Sequence, residues 1–198
     1  MPQDEPQMLH NRVFNRQLWT FLCNDLDSCL MVADEVQEKG DNSRFKGALY
    51  FPAALTLFAA IELAASYYAG DEPTGDRVAE FISKYIGPCS PELASKTVAK
   101  KWYEVFRNGL THQWSPKAGG VGVFQWREVF RFLSEGLTEK SPYLNVPALF
   151  DAFKKALRAY ESDLDSNLIL RKNFDSRHKA LESSDCNEMR IFRGLCGE

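Results

Sequence analysis

The stretch Ala48-Leu49-Tyr50-Phe51-Pro52-Ala53-Ala54-Leu55-Thr56-Leu57-Phe58-Ala59-Ala60-Ile61-Glu62-Leu63-Ala64-Ala65-Ser66-Tyr67-Tyr68-Ala69 decides how the chain folds. Its 22 residues hold no Lys or Arg and a single charge, Glu62. A run of that length can span a bilayer. Against this, Pro52, Thr56, Glu62 and Ser66 interrupt it, no basic residue frames its far end, and a mid-span carboxylate is expensive in lipid. The reading is therefore a buried central helix with no membrane role. It should open near Pro52, a residue suited to a first helical turn, and close at Gly70. On that helix Glu62 shares a face with Leu55, Phe58, Ala59 and Ser66, and a buried carboxylate needs a partner. Arg107 and His112 are the leading candidates, with another Arg or a backbone amide as the alternative.

Upstream, Val13, Leu18, Trp19, Leu22, Leu26, Leu30 and Val36 recur at helical spacing from Asn11 to Lys39, and Gly40-Asp41-Asn42-Ser43 stops the helix. Downstream, a short helix is expected from Asp76 to Ile86, closed by Gly87-Pro88. Another runs from Pro91 through Val98, Trp102, Val105 and Phe106 to His112, stopped by Ser115-Pro116. The glycines and β-formers of Ala118 to Trp126 then indicate a hairpin or extended arm. Residues 127–137 fit either a strand or a short helix. Val146 to Ser162 carries the apolar stripe Leu149, Phe150, Phe153, Leu157 and Tyr160, and a weaker helical pattern runs from Leu168 to Leu181. Strand and helix do not alternate, which removes a doubly wound α/β sheet. The prediction is an all-α bundle of five to six helices with a small β-hairpin or arm after the fourth. It forms a single domain over residues 1–198, with its core at 10–165 and a polar helical tail at 166–198.

Composition fits this reading. The 198 residues are 44% hydrophobic and 26% charged, with a formal charge of −3, ordinary values for a globular chain. Cysteines stand at 23, 29, 89, 186 and 196, an odd number without a CxxC pair, so free thiols in a reducing cytoplasm are expected. The start, Met1-Pro2-Gln3-Asp4-Glu5, is unlike a signal peptide. No GxGxxG, P-loop, HExxH, GxSxG or EF-hand pattern is present, and no metal or cofactor is called for.

Chemistry is concentrated around His112, in Tyr103-Glu104-Val105-Phe106-Arg107-Asn108-Gly109-Leu110-Thr111-His112-Gln113. An α-helix stacks Glu104, Asn108 and His112 on one face and puts Arg107 about 140° from His112, nearer Glu104. Arg107 and His112 can serve one ligand only if the helix loosens at Gly109 or a second copy supplies the other half. Imidazole trades protons near neutrality, and guanidinium is a permanent planar cation suited to phosphate oxygens. Together they could cleave RNA without metal: His112 as general acid or base, Arg107 on the phosphate, Asn108 orienting, and the 2′-hydroxyl as nucleophile. Glu62 and Glu104 would support them, and Trp102 and Trp114 are candidates for stacking on bases. Spacing alone is weak. With 12 Arg and 3 His, Arg-x4-His arises by chance roughly 0.2 times in such a chain, and Arg171 and His178 also share a six-residue spacing. A helix-dipole role for His112, an Arg107–Glu104 pair and core roles for the tryptophans stay open. Residues 91–140 carry 8 Lys and Arg against 5 Asp and Glu, and residues 1–90 carry 7 against 13, so no strong basic surface is announced.

Phe106 to Gln113, followed by Ser115-Pro116-Lys117, resembles the Arg-polar-x(3–5)-His signature of the HEPN superfamily. It is most similar to uncharacterised bacterial HEPN-like proteins, which share an Ala- and aromatic-rich helix with a Glu, as at Glu62, and a helix start like Leu144-Asn145-Val146. The resemblance spans residues 10–165. It implies a helical bundle that dimerises, and in many members a metal-independent endoribonuclease of toxin–antitoxin or antiviral systems. There both protomers give Arg and His to one cleft, and the products carry cyclic phosphate ends. Other members are inactive modules that bind nucleotides or RNA, or serve as protein scaffolds. RNA, a second copy of the chain and an antitoxin or other partner protein are the expected partners.

Overall fold

The structure is a computed structural model and describes residues 11–39, 49–113, 117–135 and 139–196. The sequence-predicted stops at Gly40–Ser43 and Ser115-Pro116 lie outside these residues, as does Trp114. The protein is a mostly helical bundle with a small sheet. A π-wound helix, Asn11–Cys23, runs directly into α1 (Asn24–Lys39). Then come α2 (Tyr50–Ala69), α3 (Gly75–Phe81) with a π-wound turn Ile82–Ile86, and two 3₁₀ turns, Gly87–Cys89 and Pro91–Ala94. The remaining elements are α4 (Lys96–Gln113), β1 (Gly120–Gly122), β2 (Phe130–Glu135), β3 (Glu139–Asn145), α5 (Val146–Ser166) and α6 (Leu168–Cys196).

α2 is the axle of the bundle. It is long and apolar enough to cross a membrane by length and composition, but ten of its residues are buried within the protein. It touches α1, α3, α4, α5, α6, the π-wound segment and β1. Gly70 ends it in the left-handed conformation (φ 81°), and its N–H bonds the Ser66 carbonyl at 2.9 Å, as a glycine after a helix end is suited to do. At its far end Tyr68 meets Phe81, Tyr85 and Tyr160 in a cluster of tilted and edge-on rings. The Tyr85 hydroxyl donates to Asp163 at 2.9 Å, and burial together with that carboxylate pushes its acidity far down.

Three expectations need correction. The first helix is π-wound rather than α over Asn11–Cys23; Val13, Phe14, Leu18 and Cys23 are buried there, and Trp19 and Leu22 pack against the core while partly exposed. The fourth helix starts at Lys96 rather than Pro91, because extended Ser95 (ψ 121°) separates it from the 3₁₀ turn. α6 also reaches Cys196, well past Leu181.

The sheet has the order β1-β3-β2. β1 is an arm that pairs parallel with β3, Val121 opposite Leu144, and the antiparallel pair is β2 with β3. The hairpin therefore lies downstream of Ala118–Trp126. Pro142, opposite Phe132, sits in the central strand one residue before β1 begins to pair at Tyr143, so its missing N–H breaks no ladder there. Gly119 (φ 76°) turns the chain into β1, and a Cβ on it would collide with the Pro142 carbonyl oxygen. Gly119→Ala should cost about 2 kcal/mol and lower the melting midpoint by about 4–8 °C, read by thermal and urea unfolding.

Candidate functional site

α4 carries the motif, and its buried residues Ala99, Trp102, Tyr103, Phe106 and Leu110 follow helical spacing toward the core. The helix continues without a break through Gly109 to Gln113. Arg107 and His112 thus stand about 140° apart and about 7.5 Å along the axis. Arg107 turns inward to α2. His112 is exposed in the last turn.

The inward side is an ion pair built across two helices. Arg107 Nε donates to Glu62 Oε1 at 2.6 Å, and Nη2 donates to Oε2 at 3.3 Å. Tyr103, one turn before Arg107, donates its hydroxyl to the same Oε1 at 2.7 Å. The Glu62 and Arg107 side chains retain 19% and 29% of their exposure, so the pair sits at the boundary between core and solvent. Burial, then the Glu62 bond and charge, push the Tyr103 hydroxyl well above its ordinary acidity range, so it remains a donor. The bond to Glu62 raises the Arg107 guanidinium further and keeps it cationic. Side-on pairing uses the Nε–Nη2 edge, and the outer Nη1–Nη2 edge of the planar fork lies outside it.

The remaining predicted residues are not gathered there. Glu104 stands one turn before Asn108 but pairs with Lys101 at 3.8 Å, not with Arg107, whose carboxylate is on another helix. Asn108 is half-buried beside Arg107, on the face that His112 continues. Trp102 is 4% exposed and packs against Phe58, Phe106 and Phe130, so it is a core residue with no ring face for a base. Cavities of about 330 Å³, between Trp126 and Lys155, and about 410 Å³, between Arg77 and Asn173, are lined by neither Arg107 nor His112. Among the described residues no group of His, Cys, Asp and Glu could hold a metal. Cys23 is buried, and desolvation with nearby Asp27 pushes its thiol up to about 11, which makes it a poor nucleophile.

No family model, no curated protein and no solved structure matches the chain.

Tyr103 is the residue that sequence reasoning passed over. An aromatic beside Trp102 and Phe106 on an amphipathic helix reads as core packing, and most of its ring does pack, edge-on to Phe58. Only its hydroxyl belongs to the site. The available signal was spacing: Tyr103 and Arg107 are four residues apart and can meet one acceptor. Glu62 needed no such help, since a lone carboxylate in an apolar helix already asked for a cation.

Proposed function

We propose that the protein is a metal-independent endoribonuclease of HEPN type, acting as a dimer. The observation that carries the reading is the grip of Glu62 on Arg107 in the same helix that presents His112 to solvent. A guanidinium fixed along one edge offers the other to a phosphate at little ordering cost. His112 takes the proton from a ribose 2′-hydroxyl; the 2′-oxygen bonds to phosphorus as the phosphorus–5′-oxygen bond breaks. The 5′-oxygen leaves taking a proton from solvent, and a 2′,3′-cyclic phosphate remains. Arg107 balances charge on the pentacoordinate phosphorus, and Asn108 orients the ring or a phosphate oxygen. Because about 140° of helix separates Arg107 from His112, the second copy supplies the missing half of each cleft. In this reading the protein works in the cytoplasm, with an antitoxin or other partner protein holding it in check.

A second reading is a non-catalytic module that binds RNA or nucleotides. It is favoured by the separation of Arg107 from His112 within one chain.

Cleavage of a labelled structured RNA in EDTA tests both. Wild type should cut, Arg107→Ala should cut about a hundredfold more slowly, and Arg107→Lys should recover only part, since an ammonium lacks the fork. Equal cutting by all three would trace the activity to a contaminant. Arg107-dependent binding without cutting would select the second reading.

A further inference from the structure

Glu62 Oε1 accepts two hydrogen bonds, from Arg107 Nε at 2.6 Å and Tyr103 Oη at 2.7 Å, whereas among the described residues Oε2 receives the longer Nη2 contact at 3.3 Å. The carboxylate is therefore anchored at one oxygen from two directions. Tyr103 is held in turn: it is 8% exposed, with its ring against Phe58. A rigid phenol fixes Glu62, and Glu62 fixes the side edge of Arg107. Without the hydroxyl the carboxylate could swing about its own side chain and take Arg107 with it, because the two long side chains would then hold only each other.

Resting on the RNA reading above, we infer that Tyr103 is a positioning residue, which through Glu62 aims the outer edge of Arg107 at an RNA phosphate. Tyr103 itself touches no ligand. The competing view, that Tyr103 and Glu62 merely stabilise the α2–α4 contact, predicts a loss of melting temperature without loss of affinity in the folded protein. A third view, that Glu62 quenches the Arg107 charge, predicts tighter binding when its anchor is removed.

The experiment uses full-length wild type, Tyr103→Phe, Arg107→Ala and the double variant. Each is titrated with fluorescein-labelled 2′-O-methyl RNA, which lacks the nucleophile, at several salt concentrations. Arg107→Ala should bind about 10- to 100-fold more weakly and lose about 0.7 from the slope of log K against log salt, the share of one single-strand phosphate. Tyr103→Phe should bind roughly threefold to tenfold more weakly with a slope moved toward that of Arg107→Ala. The double variant should match Arg107→Ala alone, because Tyr103 acts only through Arg107. Glu62→Gln, which keeps the side-chain shape, should follow Tyr103→Phe and serves if the phenylalanine variant folds poorly. Wild-type affinity and slope in Tyr103→Phe, additive losses in the double variant, or tighter binding would each overturn the assignment while leaving RNA binding intact. Wild-type binding by Arg107→Ala would overturn both the assignment and the RNA reading beneath it.

Discussion

Replacing His112 with alanine should slow RNA cleavage in EDTA by a factor of about 10²–10⁴, the range lost with a general acid or base. The side chain is exposed at the end of α4, outside the apolar core. The melting midpoint should therefore stay at the wild-type value, and the loss is chemical. Two controls sharpen it. RNA with a single 2′-deoxy residue at the cut position should resist wild type, since the attacking oxygen is gone. Mixing Arg107→Ala with His112→Ala protein should restore part of the rate, because each mixed dimer keeps one cleft with an intact Arg107 and an intact His112. Full activity in His112→Ala would sink the nuclease reading. No recovery on mixing would sink the shared cleft.

Asn145→Ala should cost about 3 kcal/mol and lower the melting midpoint by about 6–12 °C. Asn145 is 1% exposed and precedes α5, yet its side chain does not cap that helix. Instead Nδ2 donates to the carbonyls of Trp126 (2.6 Å) and Phe124 (3.3 Å), while Oδ1 accepts the Phe124 N–H at 3.4 Å. Alanine strands these backbone groups under the stacked Phe124 and Trp126 rings, 3.9 Å apart. Asn145→Asp should be no better, because a carboxylate keeps the acceptor but sets negative charge against two carbonyl oxygens. Urea unfolding of the two variants beside wild type checks both values. A change within about 0.5 kcal/mol, the scale of an ordinary surface substitution, would show that the bonds to the arm contribute little.

The helices were legible because their ends are marked locally: Gly70 closes α2, Gly87-Pro88 follows the turn after α3, and Val146-Pro147 opens α5. β3 was not legible, since Pro142 argues against any central strand until the short reach of β1 is known. The full length of α6 was hidden by Glu182-Ser183-Ser184-Asp185, which has no apolar period to follow. In the candidate site, Glu62 with Arg107 could be anticipated from the cost of burying a carboxylate. The Tyr103 hydroxyl was only hinted at by its four-residue spacing from Arg107; whether it reaches Glu62 depends on how closely α2 and α4 approach, which the packing of Phe58 and its neighbours sets. A core role for Trp102 could be weighed from its place on the apolar row of α4, but which three phenylalanines close over it depends on how the helices and the sheet pack.

α6 spans 29 residues, about 43 Å of helix, and among the described residues its packing runs along the first half, through Leu170, Phe174, Arg177, His178 and Leu181. Met189, Ile191, Phe192 and Leu195 are between 53% and 81% exposed. One continuous helix therefore contains two thermodynamic regimes. The first half melts with the core. Beyond Leu181 every described side chain is exposed, so among the described residues this half has little tertiary packing to support it. A change of sequence beyond Leu181 is then felt as local helix content and barely as stability of the fold. Substitutions at Met189, Ile191 or Phe192 should therefore change helix content, read by circular dichroism, more than they change the melting midpoint of the bundle.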